Sequence, residues 1–184
     1  TVRGNHDRAV ATTPVAAMEP VDRFTHAALS AASLAWLSAL PATLKIEDIF
    51  LCHGGPVDDE TFLLEEDGKT HFFPSGAAQI RAKLSDVGAS LILCGHTHTP
   101  RVVHLSERQL AINPGSVGVQ AFPGLTVTGS PHARYALATL LNGTWQVTHH
   151  VLCYDWSAAG EQASANGFGN WHHGLVTGFA SGSV

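Results

Sequence analysis

Residues 91–100 read LILCGHTHTP, an apolar run that stops on a glycine and hands over two histidines. Four apolar residues bounded by turn formers mark a buried strand. Gly95 lets the backbone turn sharply and approach an ion closely. His96 and His98 stand two apart, so in an extended segment both project to the same side. Two other stretches end in the same way. IEDIFLCHGG (46–55) runs into His53-Gly54-Gly55, and TVRGNHD (1–7) runs from Thr1-Val2, read as a strand end, into Gly4-Asn5-His6-Asp7. Open α/β sheets build their sites outside the carboxyl ends of the strands, so three such tips are expected to converge. Imidazole nitrogens and an amide oxygen suit divalent zinc, manganese, iron or nickel. Histidines elsewhere, His26, His71 and His149 among them, read as ordinary hydrogen-bonded residues.

Outward from these motifs, the chain alternates helix and strand in its first half and is mostly strand in its second. DRFTHAALSAASLAWLSAL (22–40) reads as one helix with Leu29, Trp36, Leu37 and Leu40 on one face, stopped by Pro41. SGAAQIRAKLSDVG (75–88) reads as a helix with Ser75 as N-cap and Gly88 at its end. Between them, residues 56–74 look too irregular for core and read as a loop beside the site. After residue 100 come RVVHL, QLAINPGSVG, ARYALATLL and WQVTHHVLCYDW, short strands in which Asn142-Gly143 signals a hairpin. The expected architecture is a layered α/β domain with two mixed sheets over 1–156, and 157–184 as a closing segment, a weak helix or a tail.

Composition narrows the function. The 184 residues are 45% hydrophobic and only 14% charged, the balance of one domain with a sizeable core. A net charge of −5 with 10 Lys+Arg gives no footprint for a nucleic acid backbone, so no long polymer partner is expected. No apolar run approaches a membrane span. Three cysteines, far apart and odd in number, argue for reduced thiols and a cytoplasmic protein. Histidine, at 12 residues, outnumbers Lys and Arg together, which raises the expectation of metal chemistry.

GNHD, HGG and GHTH in this order, followed by NPGSVG at 113–118, resemble the calcineurin-like metallophosphoesterase superfamily, particularly its compact bacterial phosphodiesterases. The resemblance implies an α/β/β/α sandwich holding two divalent metals, with hydrolysis of a small phosphate ester, a diester above all, by a metal-bridging hydroxide. By motif match Asn5, His53 and His96 would bind one metal and His98 the other. His6 would be the general acid, oriented by Asp7. Arg3 resembles a phosphate-binding arginine; a surface strand arginine is the other reading. Gly4, Gly54, Gly95, Asn113 and Ser116 would support the ligands without touching the ions.

The same resemblance implies an Asp-x-His pair and a Gly-Asp-x-x-Asp segment ahead of GNHD, and neither occurs. Residue 1 therefore reads as the middle of a protein that lacks its first βαβ portion, with a metal centre short of carboxylates and impaired turnover. Two other readings stay open. One is a mononuclear hydrolase using Asn5, His53, His96 and His98; the other is a non-catalytic metal-binding or protein-interaction module on the same fold. Substrate identity and oligomeric state are not fixed by the sequence.

Overall fold

The computed structural model describes residues 1–68, 72–120 and 129–180. Its centre is a five-stranded mixed sheet of β1 (Thr43–Ile46), β2 (Ile49–Cys52), β5 (Leu91–Leu93), β7 (Gln109–Asn113) and β6 (Arg101–Ser106), in that spatial order. β2, β5 and β7 run parallel, with Ile49 opposite Leu91 and Leu91 opposite Leu110. β1 and β6 pair antiparallel at the two edges. Because β2, β5 and β7 are parallel, their carboxyl ends open on one side of the sheet, where HGG, GHTH and NPGSVG begin.

Strict alternation sorts the strand residues between two cores. Ile92 and Ala111, both fully buried, face Ile80 and Leu84 of α4 (Ala77–Leu84), together with Phe50, Cys52 and Cys94. Leu91, Leu110 and Ile112 face the other way, toward Ala136, Ala138, Trp145 and Val147. Those four belong to β8 (Ala133–Leu141) and β9 (Thr144–Leu152), an antiparallel hairpin that forms the next layer. Its turn is Asn142-Gly143, both with positive φ (51° and 77°), as a two-residue hairpin turn matched to strand twist requires. Trp145 Nε1 donates to Ser90 Oγ at 2.9 Å and pins the hairpin to the sheet. The chain is thus a mixed α/β sandwich, and its second β layer is this antiparallel pair.

Several local expectations are corrected. Thr1–Val2 is not a strand, and Asn5–Thr12 forms helix α1. The single helix expected at 22–40 is two, α2 (Pro20–Ala28) and α3 (Ala31–Ala39). Ser30 breaks the run because its hydroxyl accepts from Ser33 N–H at 3.1 Å and caps a new helix. The apolar face expected of it is not core: Trp36 is 57% exposed and α3 has no buried residue. Gly76, not Ser75, caps α4, which ends at Ser85 rather than Gly88. Residues 56–74 are not all loop. β3 (Glu65–Asp67) and β4 (Phe72–Pro74) pair as a hairpin, and Leu63 and Leu64 are buried in the main core. The expectation that His71 is an ordinary hydrogen-bonded residue falls outside the described residues.

Beyond residue 155, α5 (Trp156–Ala165) and α6 (Gly169–Thr177) pack on each other, and Phe168 meets Phe24 of α2 edge-on at 5.3 Å between ring centres. Among the described residues, no helix is long and apolar enough to cross a membrane.

Candidate functional site

The GNHD turn is the start of α1. Gly4 is extended (φ −92°) and its N–H donates to Asp7 Oδ2 at 2.9 Å, so Asp7 closes the first turn of the helix. The Arg3 N–H donates to the Pro41 carbonyl at 2.8 Å, while its Nε is buried with no partner among the described residues. His6 is held from elsewhere: its Nδ1 lies 2.7 Å from Asp22 Oδ1 on α2. Asp22 is only 5% exposed, whereas 65% of the His6 side chain faces solvent. The expectation that Asp7 orients His6 is therefore corrected to Asp22. Its carboxylate can only accept, so Nδ1 carries the proton shared in this bond.

At the end of β2, His53 Nε2 lies 3.0 Å from Asn5 Oδ1, joining the first two motifs directly. A Cβ on Gly4 would sit 3.0 Å from the His53 ring, so the absence of a side chain there makes room for the imidazole. Gly54 has a different task. A Cβ on it would come within 2.7–2.8 Å of the backbone of Asp59, Glu60 and Thr61. That close approach brings the 58–61 turn against the site. Arg8 of α1 then grips the turn with two of its three guanidinium nitrogens, Nε to Asp59 Oδ2 at 2.7 Å and Nη2 to Oδ1 at 2.9 Å, and Nη2 adds Glu60 at 2.7 Å.

The GHTH turn is the most constrained part of the site. His96 and His98 both have positive φ (64° and 58°), so the segment is not extended as expected; it coils on itself immediately after β5. Left-handed conformations cost non-glycine residues about 1–2 kcal/mol each, so the surroundings must hold them. Asn113, 1% exposed at the end of β7, donates through Nδ2 to the Gly95 carbonyl (2.8 Å) and to Thr97 Oγ1 (2.9 Å), while its Oδ1 accepts from Gly115 N–H (3.0 Å). Gly95 N–H donates to the His53 carbonyl at 2.8 Å. The His96 ring stacks on Phe62 (5.1 Å, 15°) and meets His53 edge-on (5.3 Å, 65°). Ser116 acts farther out, accepting through its carbonyl from Arg134 N–H at 2.8 Å and anchoring the NPGSVG turn to β8.

The charges of these imidazoles act on one another. Burial pushes the His53 imidazole down to about 4, and His96 adds to the effect. His96 and His98 are likewise lowered by burial, and each is lowered further by the charge of His6. Direct contacts join Asn5, His53 and His96, and His6 and His98 act on that group through charge. These three lowered imidazoles are neutral near pH 7, the form that donates a lone pair to a metal. Among the described residues, no three His, Cys, Asp or Glu side chains are grouped to hold one ion. The chemistry of the donors nevertheless fits a divalent cation, with Asn5 Oδ1 and imidazole nitrogens on a glycine-lined cradle. Asp22, Asp59 and Glu60 were not legible as site residues. Each reaches the site through packing of separate elements, and no motif surrounds them.

The profile of the calcineurin-like phosphoesterase superfamily domain matches residues 1–140. The chain belongs to the calcineurin-like phosphoesterase superfamily. Metal-dependent phosphoester hydrolysis is the superfamily's general chemistry. The fold is shared with the crystal structure of a metallophosphoesterase from Sphaerobacter thermophilus, at TM-score 0.69 and 24% identity over 95% of this chain and 76% of that one. A hypothetical protein from Pyrococcus horikoshii is similar at TM-score 0.72 and 17% identity, over 98% of this chain and 73% of its own. No curated protein matches the sequence.

Proposed function

We propose that this superfamily member hydrolyses phosphate esters, phosphodiesters by preference, with Asn5, His53 and His96 at one divalent metal and His98 at a second. The observation that carries this reading is the meeting of the GNHD and HGG motifs at the 3.0 Å Asn5–His53 contact, with the His96 ring against His53. When bound, such a metal pair supplies Lewis-acid activation of water and of the phosphoryl group. The chain's own residues do the rest. His6, with Nδ1 fixed on Asp22, offers its other ring nitrogen to protonate the leaving oxygen. Arg3 offers a guanidinium for a phosphoryl oxygen. The Asn113 hydrogen bonds keep the two histidines of GHTH in place between turnovers. Three free cysteines accord with a cytoplasmic setting, and a small phosphate ester is the substrate that an acidic surface tolerates.

Manganese titration followed by calorimetry, alongside hydrolysis of bis(p-nitrophenyl) phosphate, tests the proposal. Metal binding and slow, manganese-dependent turnover, both lost in His53→Ala, are expected. Turnover is expected to be slow because no Asp-x-His or Gly-Asp-x-x-Asp carboxylates stand in the sequence. Metal-independent hydrolysis, or binding unchanged in His53→Ala, would overturn the reading. A stoichiometry of one ion with full activity would replace it by a mononuclear centre.

A further inference from the structure

Helix α1 carries Asn5 and Arg8 three residues apart, hence on one side, and both side chains reach the segment that follows β2. Asn5 Oδ1 accepts from His53 Nε2 at 3.0 Å. Arg8 forks onto Asp59, Nε to Oδ2 at 2.7 Å and Nη2 to Oδ1 at 2.9 Å. With side-chain exposures of 38% and 10%, this is a half-buried, two-point pair rather than the loose surface kind that contributes little. The helix holds Asn5 and Arg8 in one frame, because the Arg8 N–H closes its first turn on the Gly4 carbonyl at 2.9 Å.

The far ends of the two ties also form one body. His53 is followed by Gly54, and the backbone of Asp59, Glu60 and Thr61 packs within 2.7–2.8 Å of where a Cβ on Gly54 would stand. The Gly55 N–H donates to the Asp58 carbonyl at 2.8 Å, and Asp58 Oδ1 accepts from the N–H groups of Glu60 (2.9 Å) and Thr61 (2.7 Å). The turn bearing Asp59 is thereby fixed to the residues directly after His53. The two ties differ in one respect. The Asn5–His53 bond is made of Oδ1 and Nε2, donor atoms that a cation shared by these residues would claim, whereas the ion pair uses neither. We propose that Arg8 and Asp59 are positioning residues for the candidate metal site. They hold α1 against the HGG turn, so that Asn5 and His53 stay within reach of one ion when their own hydrogen bond is given up. This role rests on the metal-site reading; the registration of α1 on the turn can be read without metal.

Charge and position make opposite demands on Arg8. A guanidinium beside a cation site repels the cation, so on charge alone its removal strengthens metal binding, the more so as Asp59 is left unneutralised. As a positioning group, its removal weakens binding. The experiment uses the full chain as Arg8→Ala, Arg8→Lys, Asp59→Asn and the Arg8→Ala/Asp59→Asn double variant, titrated with Co²⁺ and followed by visible absorption, which reports ligand geometry. Arg8→Ala is expected to weaken binding by about tenfold and to change the spectrum of the bound ion, as loss of a group behind a metal ligand does. Lysine keeps the charge without the fork, so Arg8→Lys recovers at most part of the affinity. The double variant is no weaker than Arg8→Ala, since the two side chains act as one unit. In the metal-free protein, the Asn5 side-chain amide and His53 ring NMR signals are expected to move in both Arg8→Ala and Asp59→Asn. Unchanged or tighter Co²⁺ binding in Arg8→Ala would overturn the proposal, as would full recovery in Arg8→Lys or unmoved Asn5 and His53 signals. If the wild-type chain binds no Co²⁺, the metal-site reading falls, and the NMR signals alone decide whether the pair registers α1 on the turn. Should Arg8→Ala fail to fold, Arg8→Met, which keeps the apolar stem, carries the same comparison.

Discussion

The turns GNHD and GHTH bring the same kinds of side chain to one place by opposite means. In GNHD the backbone turn is closed locally: Gly4 and Asp7 bond within four residues, and the distant partners Asp22 and His53 touch only the side chains of His6, which is mostly exposed, and Asn5. GHTH is held from a distance: Asn113, 16 residues away from Thr97, reaches across the sheet, and two left-handed residues persist because their surroundings dictate them. A short-range device leaves a side chain free to exchange protons with solvent. A long-range one, buried and strained, keeps donors fixed and neutral. The difference divides the labour of the proposed reaction between proton delivery at His6 and ion retention at His96 and His98.

The sharpest way to break this contrast is Asn113→Ala, which strands the Gly95 carbonyl and the Thr97 hydroxyl in the core. Each buried group left unsatisfied costs about 1–3 kcal/mol, so a loss of about 3 kcal/mol is expected in urea unfolding, together with loss of metal binding. Next comes Gly54→Ala. Its methyl group meets backbone at 2.7–2.8 Å, which no rotamer change relieves. About 2 kcal/mol is expected by the usual cost of overpacking, with weakened hold of Arg8 on Asp59 visible as an altered Asp59 titration. On the local side, Asp7→Ala removes only the bond to the Gly4 N–H and a favourable charge at the helix start. About 1 kcal/mol is expected by thermal unfolding. A loss equal to that of Asn113→Ala would erase the distinction between the two turns.

Acid provides a gentler probe of the same division. The His53 imidazole sits at about 4 in the folded chain and at its ordinary value of 6.5 when unfolded. Between those values the unfolded chain holds more protons, so the stability of the metal-free protein falls as pH is lowered from about 6.5 toward 4 and the His53 contribution is exhausted below that. His53→Gln should flatten this part of the curve in chemical denaturation. A slope unchanged by the substitution would mean that His53 is not the group taken up.

How much of this could be read beforehand depended on whether the cause was local. The apolar strands β2 and β5, the Asn-Gly hairpin and the glycine-bounded site motifs all act within a few residues, and all were legible. His53 and His96 lie at the carboxyl ends of parallel strands, as strand direction required, whereas Asn5 reaches His53 from the start of α1 and not from a strand. What escaped was decided by partners far along the chain. Ser30 sits in a helical pattern that its hydroxyl then interrupts. Leu63 and Leu64 lie in a polar stretch, yet are buried because Lys83 and Arg101 satisfy the carbonyls around them. The left-handed backbone of His96 and His98 carries no signal, since glycine, the usual marker, is absent at both positions. Asp22 was invisible as the partner of His6 because only the packing of α2 beside α1 unites them.

Cys52 and Cys94 stand immediately before His53 and Gly95, yet both point into the core beneath α4. Burial pushes the Cys52 thiol up to about 12 and raises Cys94 well above its ordinary value. Sulfur only one residue from an imidazole cluster is thereby kept protonated and turned away. A copper(I) or cadmium ion entering the cradle finds nitrogen and oxygen where it would bind thiolate most strongly. For a metal held as proposed, the alternation of two adjacent strands would leave imidazole and amide donors and withhold thiolate.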